Sequence, residues 1–117
     1  MIERKKFPIS VLIVDDEPSI IEYLALILGR RVEILFTAFN GAEGYECYKR
    51  EHPDLIISDI DMPTMDGIAF LKLVRADDRN IPFILSTGLK NLDILIEAIE
   101  QGITAFLPKP LDRKSVV

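Results

Sequence analysis

The stretch "ISVLIVDDEPSIIEYLALIL", Ile9 to Leu28, changes its periodicity halfway along. Ile9 to Val14 is a nearly continuous apolar run, as expected for a strand covered on both faces by helices. After Pro18, which is tolerated in a first helical turn, Ile20, Leu24, Ile27 and Leu28 recur at helical spacing. A buried strand thus passes into a helix through an acidic pair, Asp15-Asp16.

The same unit repeats along the chain. Leu55 to Ser58, Phe83 to Ser86 and Thr104 to Leu107 are further apolar or β-branched runs, whereas Val32 to Ala38, with Arg31 and Glu33 at its start, is more mixed and suits an edge strand. Tyr45 and Tyr48 mark a second helix after the Asn40-Gly41 turn signal; Ile68, Leu71 and Val74 mark a third after Gly67. Leu92, Leu95, Ile96 and Ile99 mark a fourth, closed by Gly102 as its C-cap. The order is βαβαβαβαβ, with a last helix only begun at Leu111, since "LDRKSVV" supplies at most about two turns. This alternation predicts an α/β fold, a doubly wound parallel sheet of five strands with right-handed crossovers.

Composition limits what such a fold does. With 117 residues, 49% hydrophobic and 28% charged, the chain holds one core, read as a single domain over 1–117 with residues 1–7 as a solvated leader. The net charge of -5 and a pI near 4.8 argue against a nucleic-acid surface, and the one basic run, Arg4-Lys5-Lys6, is short. Cys47 stands alone, which excludes an intramolecular disulfide or a cysteine metal cage and suits a reducing compartment. With no signal peptide or membrane-length apolar segment, the expectation is a soluble, cytoplasmic protein without a membrane partner.

In open parallel sheets the ligand site lies beyond the carboxyl ends of the strands, where the strand order reverses. The first strand ends in Asp15-Asp16, the third in Asp59, the fourth in Ser86-Thr87-Gly88 and the fifth in Pro108-Lys109-Pro110. Singly, each has another reading: Asp15 and Asp16 as caps of the helix containing Pro18, Asp59 as the start of a turn, Thr87 as a helix cap, Lys109 as a surface lysine. Together they deliver three carboxylates, a hydroxyl and an ammonium to one edge of the sheet, which the separate readings leave unexplained.

At these residues the chain resembles a known family. "LIVDDE", "DIDMPTMDG", the Thr87-Gly88 pair and "FLPKP" are similar to the receiver domain of bacterial two-component response regulators, in order over nearly the whole chain. The resemblance implies a flavodoxin-like sheet of order 2-1-3-4-5. It implies that Asp59 accepts a phosphoryl group from a phosphohistidine on a sensor histidine kinase or histidine phosphotransfer protein. Asp15, Asp16, Asp59 and the backbone carbonyl of Asp61 would hold magnesium, and Thr87 and Lys109 would bind phosphoryl oxygens. Phe106 falls at the family's switch aromatic, and the Lys109-Pro110 bond at its cis peptide. No further cofactor is implied, and the chemistry is self-modification rather than turnover. The short ending implies a piece of a longer protein continuing past Val117 into an output domain.

Elementary chemistry leads to much of the same assignment. Crowded carboxylates resist ionising together unless a cation joins them, and magnesium, which needs few carboxylates and keeps waters, suits the set better than calcium. An ionised Asp59 is then a nucleophile that needs no general base. A phosphoryl group there would draw the Thr87 hydroxyl inward and free space for Phe106, reshaping the face of the fourth helix and fifth strand. Asn91 to Gln101 adds Ile94 to its stripe, which reads either as a wide core face or as a partner patch, including one for a homodimer.

Two other functions compete. "ISDIDMPT" also fits a haloacid-dehalogenase-type phosphatase, with Asp59 as nucleophile and Asp61 as acid/base, although there the acidic metal motif follows the lysine and a cap encloses the substrate. A receiver-like interaction module working without phosphorylation would normally have lost one of these positions. Neither GxGxxG nor GxxxxGK[ST] occurs. Asp61 and Leu89, two residues beyond Asp59 and Thr87, depart from the commonest pattern at positions that tune phosphoryl lifetime.

Overall fold

Alternating side chains along the first strand divide the core in two. The computed structural model describes residues 5–88 and 91–109. Val11 and Ile13 point to one face, where Ile20, Ile21 and Leu24 of a single helix cover them. Leu12 and Val14 point to the other, into a larger cluster with Phe70, Leu71, Phe83 and Leu85. All four strand residues are fully buried, which is the physical reason their sequence reads as an unbroken apolar run.

The elements are β1 (Phe7–Val14), α1 (Pro18–Leu28), β2 (Val32–Ala38), α2 (Gly41–Glu51), β3 (Leu55–Asp59), α3 (Gly67–Asp77), β4 (Phe83–Thr87), α4 (Leu92–Glu100) and β5 (Ala105–Pro108). All strand pairs are parallel, in the order β2-β1-β3-β4-β5, as the resemblance implies. β1 begins at Phe7, inside the expected leader, because the Phe7 N–H donates to the Arg31 carbonyl at 2.7 Å and the Arg31 guanidinium lies over its ring. β5 runs one residue later than expected. Arg4, Leu89, the Lys109-Pro110 bond and the helix expected from Leu111 lie outside the described residues.

Helix ends follow local chemistry. Asn40 caps α2 by accepting from the Glu43 N–H at 2.9 Å, and Glu43 reaches back to the Phe39 N–H. Asp66 caps α3 through the Ala69 N–H at 2.8 Å. Gln101 is the C-cap of α4, and Gly102, expected there, sits one residue later at φ 88, where the left-handed backbone favours glycine. Its N–H reaches the Ile99 carbonyl and that of Ile103 reaches Ala98, the closing pattern of a Schellman motif. Arg75, buried at the end of α3, donates to the carbonyls of both Gly102 and Asp78.

Two expected helix faces differ from those observed. In α1 the buried stripe is Ile20, Ile21 and Leu24, while Ile27 is 44% exposed in the last turn. In α4 only Ala98 is fully buried, with Ile94 packed inward beside it. Leu92, Ile96 and Ile99 face outward, Leu92 at 66% exposure, while Leu95 is half-buried and the face that meets the larger cluster is that of Ala98 and Ile94.

The β3–α3 connection returns so tightly that a methyl group at Gly67 would collide with the Asp59 carbonyl oxygen and lie 2.9 Å from the Ile60 Cα. The Gly67 N–H donates to the Ile60 carbonyl at 2.7 Å. Gly67→Ala is therefore expected to destabilise the fold by about 1–3 kcal/mol, the range for overpacking a tight contact, and urea unfolding measures it.

Candidate functional site

The carboxyl ends of β1, β3, β4 and β5 converge on one open hollow of about 270 Å³, lined by Asp16, Glu17, Asp59, Ile60, Asp61, Thr87, Gly88 and Lys109. Each strand contributes by stopping there. Asp59 is the last residue of β3 and Thr87 the last of β4, while the Lys109 N–H donates to the Thr87 carbonyl at 2.9 Å just past β5. Because adjacent parallel strands end in register, their terminal side chains share one rim.

Carboxylate oxygens of Asp15, Asp16 and Asp59 lie within 4.8 Å of one another. Asp15 and Asp59 are buried, whereas Asp16 is exposed at the mouth. Asp15 forms the floor of this arrangement: one oxygen accepts the Glu17 N–H at 2.9 Å, which orders the β1–α1 turn, and the other lies 3.4 Å from Lys109 Nζ. Part of the capping reading thus holds alongside the site reading. α1 itself starts at Pro18, with Glu17 as an N-cap that makes no side-chain cap.

Lys109 Nζ also reaches Asp59 Oδ2 at 3.1 Å. The pairing does not neutralise the crowding. Burial and the Asp15 charge raise the Asp59 pKa, outweighing the Lys109 charge and hydrogen bond and the Ile60 N–H, which lower it. For Lys109, burial lowers the pKa but the Asp59 and Asp15 charges raise it further, so the ammonium stays charged. An all-oxygen donor set this close, carrying excess negative charge, fits a small hard divalent cation.

The loop after Asp59 is held under local strain. Thr64 adopts φ 67, a left-handed conformation that costs a non-glycine residue on the order of 1 kcal/mol. Flanking bonds compensate: the Met65 N–H donates to Pro63, and the Gly41 N–H donates to the Met65 carbonyl at 2.9 Å. Asp61 lies in this loop on the hollow's wall. Phe106, half-buried, stands beside Leu85 in register and packs on the larger cluster, one strand over from Thr87.

All the described side chains singled out as phosphoryl or metal contacts therefore meet at one rim, and Phe106 lies near it. The sequence reading missed Glu17 as a wall and Gly67 as the close contact behind Asp59, and it gave no role to Ser86, whose buried hydroxyl lacks a partner among the described residues and lies beside Asp59 in the β3–β4 register. Only the "TMDG" run, ending in Gly67, hinted at the tight return.

Comparison with known proteins agrees with this geometry. The response regulator receiver domain model matches residues 11–117. The chemotaxis protein CheY of Treponema pallidum is 35% identical over 113 residues, covering 94% of this chain and 78% of that protein. The transcriptional regulatory protein GlrR of Escherichia coli is 34% identical over 109 residues, covering 93% of this chain but only 24% of its own length. Among solved structures, the CheX-CheY-BeF3-Mg+2 complex from Borrelia burgdorferi aligns with a TM-score of 0.83 at 34% identity, over 94% of this chain and 84% of that one. The chain belongs to the response regulator receiver domain family. The phosphatase reading is not favoured. Among the described residues no helix is long and apolar enough to cross a membrane.

Because folding holds the Asp59 carboxyl above its ordinary pKa, the folded state binds that proton more tightly than the unfolded chain, and stability falls as pH rises through the interval between the two values. Without divalent cations, Asp59→Asn is expected to raise the melting temperature at neutral pH by a few degrees and to lose the advantage in acid below that interval. Thermal melts across pH in a chelating buffer measure both.

Proposed function

We propose that Asp59 is the phosphoryl acceptor of a phosphorelay step, and that the domain signals by the change this causes. The observation that carries the reading is the approach of one ammonium, Lys109 Nζ, to both Asp59 and Asp15 within a carboxylate cluster. An Asp59 oxygen attacks phosphorus, the phosphorus–nitrogen bond of a partner phosphohistidine breaks, and the imidazole leaves with the bond's electron pair. The product is an acyl phosphate. In this reading Lys109 balances charge on the phosphoryl oxygens and Thr87 donates its hydroxyl to one of them, a reading supported by their both lining the hollow.

Asp15, Asp16 and Asp59, with the backbone carbonyl of Asp61, would hold magnesium. When bound, that ion supplies charge neutralisation and orientation of the phosphoryl oxygens. The chain acts on itself: it accepts the group and later loses it to water, without turnover of a free substrate. The donor is a sensor histidine kinase or histidine phosphotransfer protein in the cytoplasm. The outward stripe Leu92, Ile96 and Ile99 beside β5 is the face we assign to the responding partner, or to a second copy after phosphorylation. The chain spans 24% of the length of GlrR and 78% of that of the Treponema CheY protein.

Incubation with acetyl phosphate and magnesium is expected to add one phosphoryl group to the parent and none to Asp59→Asn, and chelation is expected to abolish it. Intact-mass measurement decides: equal modification of both proteins refutes the acceptor assignment. Thr87 has a different task, since a modification shifts an equilibrium only through contacts that differ between states. Thr87→Ala is expected to remain modifiable while losing the amide shifts of Leu92 to Ala105 that beryllofluoride induces in the parent. Shifts equal to the parent's would remove the proposed coupling to Phe106 and leave the Asp59 assignment standing.

A further inference from the structure

The two edges of the sheet are finished differently. β5 is four residues long and ends in Pro108, two features that blunt an edge against pairing. Among the described residues β2, at the opposite edge, is hydrogen-bonded to β1 alone. It runs seven residues, VEILFTA, with no proline, no lysine and one charge, Glu33. Its register with β1 is regular from Ile34 to Ala38, the irregularity lying between Phe7 and Ser10. The edge is also apolar at its surface: Ile34 is 50% exposed, with Phe7 at 53% near its start and Phe39 at 48% just past its end.

The strand is complementary to itself. Laid antiparallel about a two-fold axis at Leu35, Ile34 falls opposite the partner's Phe36, Glu33 opposite the partner's Thr37, Val32 opposite the partner's Ala38, and Leu35 opposite the partner's Leu35. No like charges meet. By the same register Arg31, which follows the exposed Arg30, falls opposite the partner's Phe39, and Arg30 opposite the partner's Asn40, so no carboxylate is set against a carboxylate at the flanks either.

We propose that the β2 edge is a self-pairing surface, through which two copies of this chain join their five-stranded sheets into one continuous sheet. The pairing lies across the sheet from β5 and α4 and touches no residue of the acidic hollow. It is constitutive, independent of Asp59, and leaves the α4–β5 face free for a signalling partner. One added strand pair makes a small interface, so its dissociation constant is expected on the order of 100 μM.

Sedimentation equilibrium over a concentration series, with a cross-linking arm, tests this in a Cys47→Ser background. The parent and Asp59→Asn are expected to form the same dimer, and Ile34→Lys, an exposed position, to weaken it at least about tenfold. Directly opposed residues lie about 5 Å apart, within disulfide reach, whereas equivalent copies of residue 33 lie roughly 13 Å apart. The Glu33→Cys/Thr37→Cys protein is therefore expected to form a disulfide-linked dimer on mild oxidation, and each single variant is not. A parent that stays monomeric well above that concentration overturns the proposal. So does a double variant that links no more than the singles, and so does a dimer that survives Ile34→Lys but is lost in Ile96→Lys.

Discussion

Buried Asp15 and Asp59, together with Asp16 at the mouth, put more negative charge at one sheet edge than a single ammonium balances. Like charges in a partly desolvated site repel far more strongly than on an open surface, so the cluster persists only because the surrounding structure leaves it no alternative. β1 and β3 are anchored by fully buried residues directly before their acids, and the Asp15 carboxylate is tied to the turn it begins. The core thus stabilises an arrangement that is unfavourable in itself. A cation entering such a cluster relieves repulsion that the fold itself cannot remove.

The resulting division of labour runs along the strands. Their middles, Val11 to Val14, Ile56 and Ile57, and Phe83 to Leu85, hold the sheet together; their ends carry the chemistry. Beyond those ends the chain turns sharply: Thr64, like His52 at the end of α2, is held in a left-handed conformation, and Gly67 allows the chain to return against the Asp59 carbonyl. A site built from strand termini inherits the rigidity of the sheet, while the loops beyond it remain adjustable.

Much of this was legible in the sequence, for identifiable reasons. Strands buried on both faces leave unbroken apolar runs, so β1, β3 and β4 were located within one or two residues, and their acidic and hydroxyl ends pointed to the site. What periodicity does not report is which of two apolar faces the sheet accepts. In α4 the larger residues Leu92, Ile96 and Ile99 suggested the buried stripe, yet Ala98 took that place because close packing selects shape as well as hydrophobicity. Nor did the acidic pair reveal that Asp15 lies buried beneath Lys109 while Asp16 faces the mouth, since that depends on where β1 stops relative to β5. The clamp of Arg75 on Gly102, 27 positions away, has no local signature at all.

That clamp gives α4 an asymmetry along its length. Its carboxyl end is closed by the Schellman bonds and fixed by a buried guanidinium, whereas the rest of the helix commits one fully buried side chain to the core. Local opening in proteins spans a wide range of free energies, and helices with little buried surface open first at their least anchored end. α4 therefore takes its tertiary anchoring mainly at its carboxyl end, while its amino end relies on a local cap, the Asn91 side chain accepting the Asp93 N–H at 3.0 Å. Substitutions along the outward face of the helix can alter that balance without touching the acidic cluster.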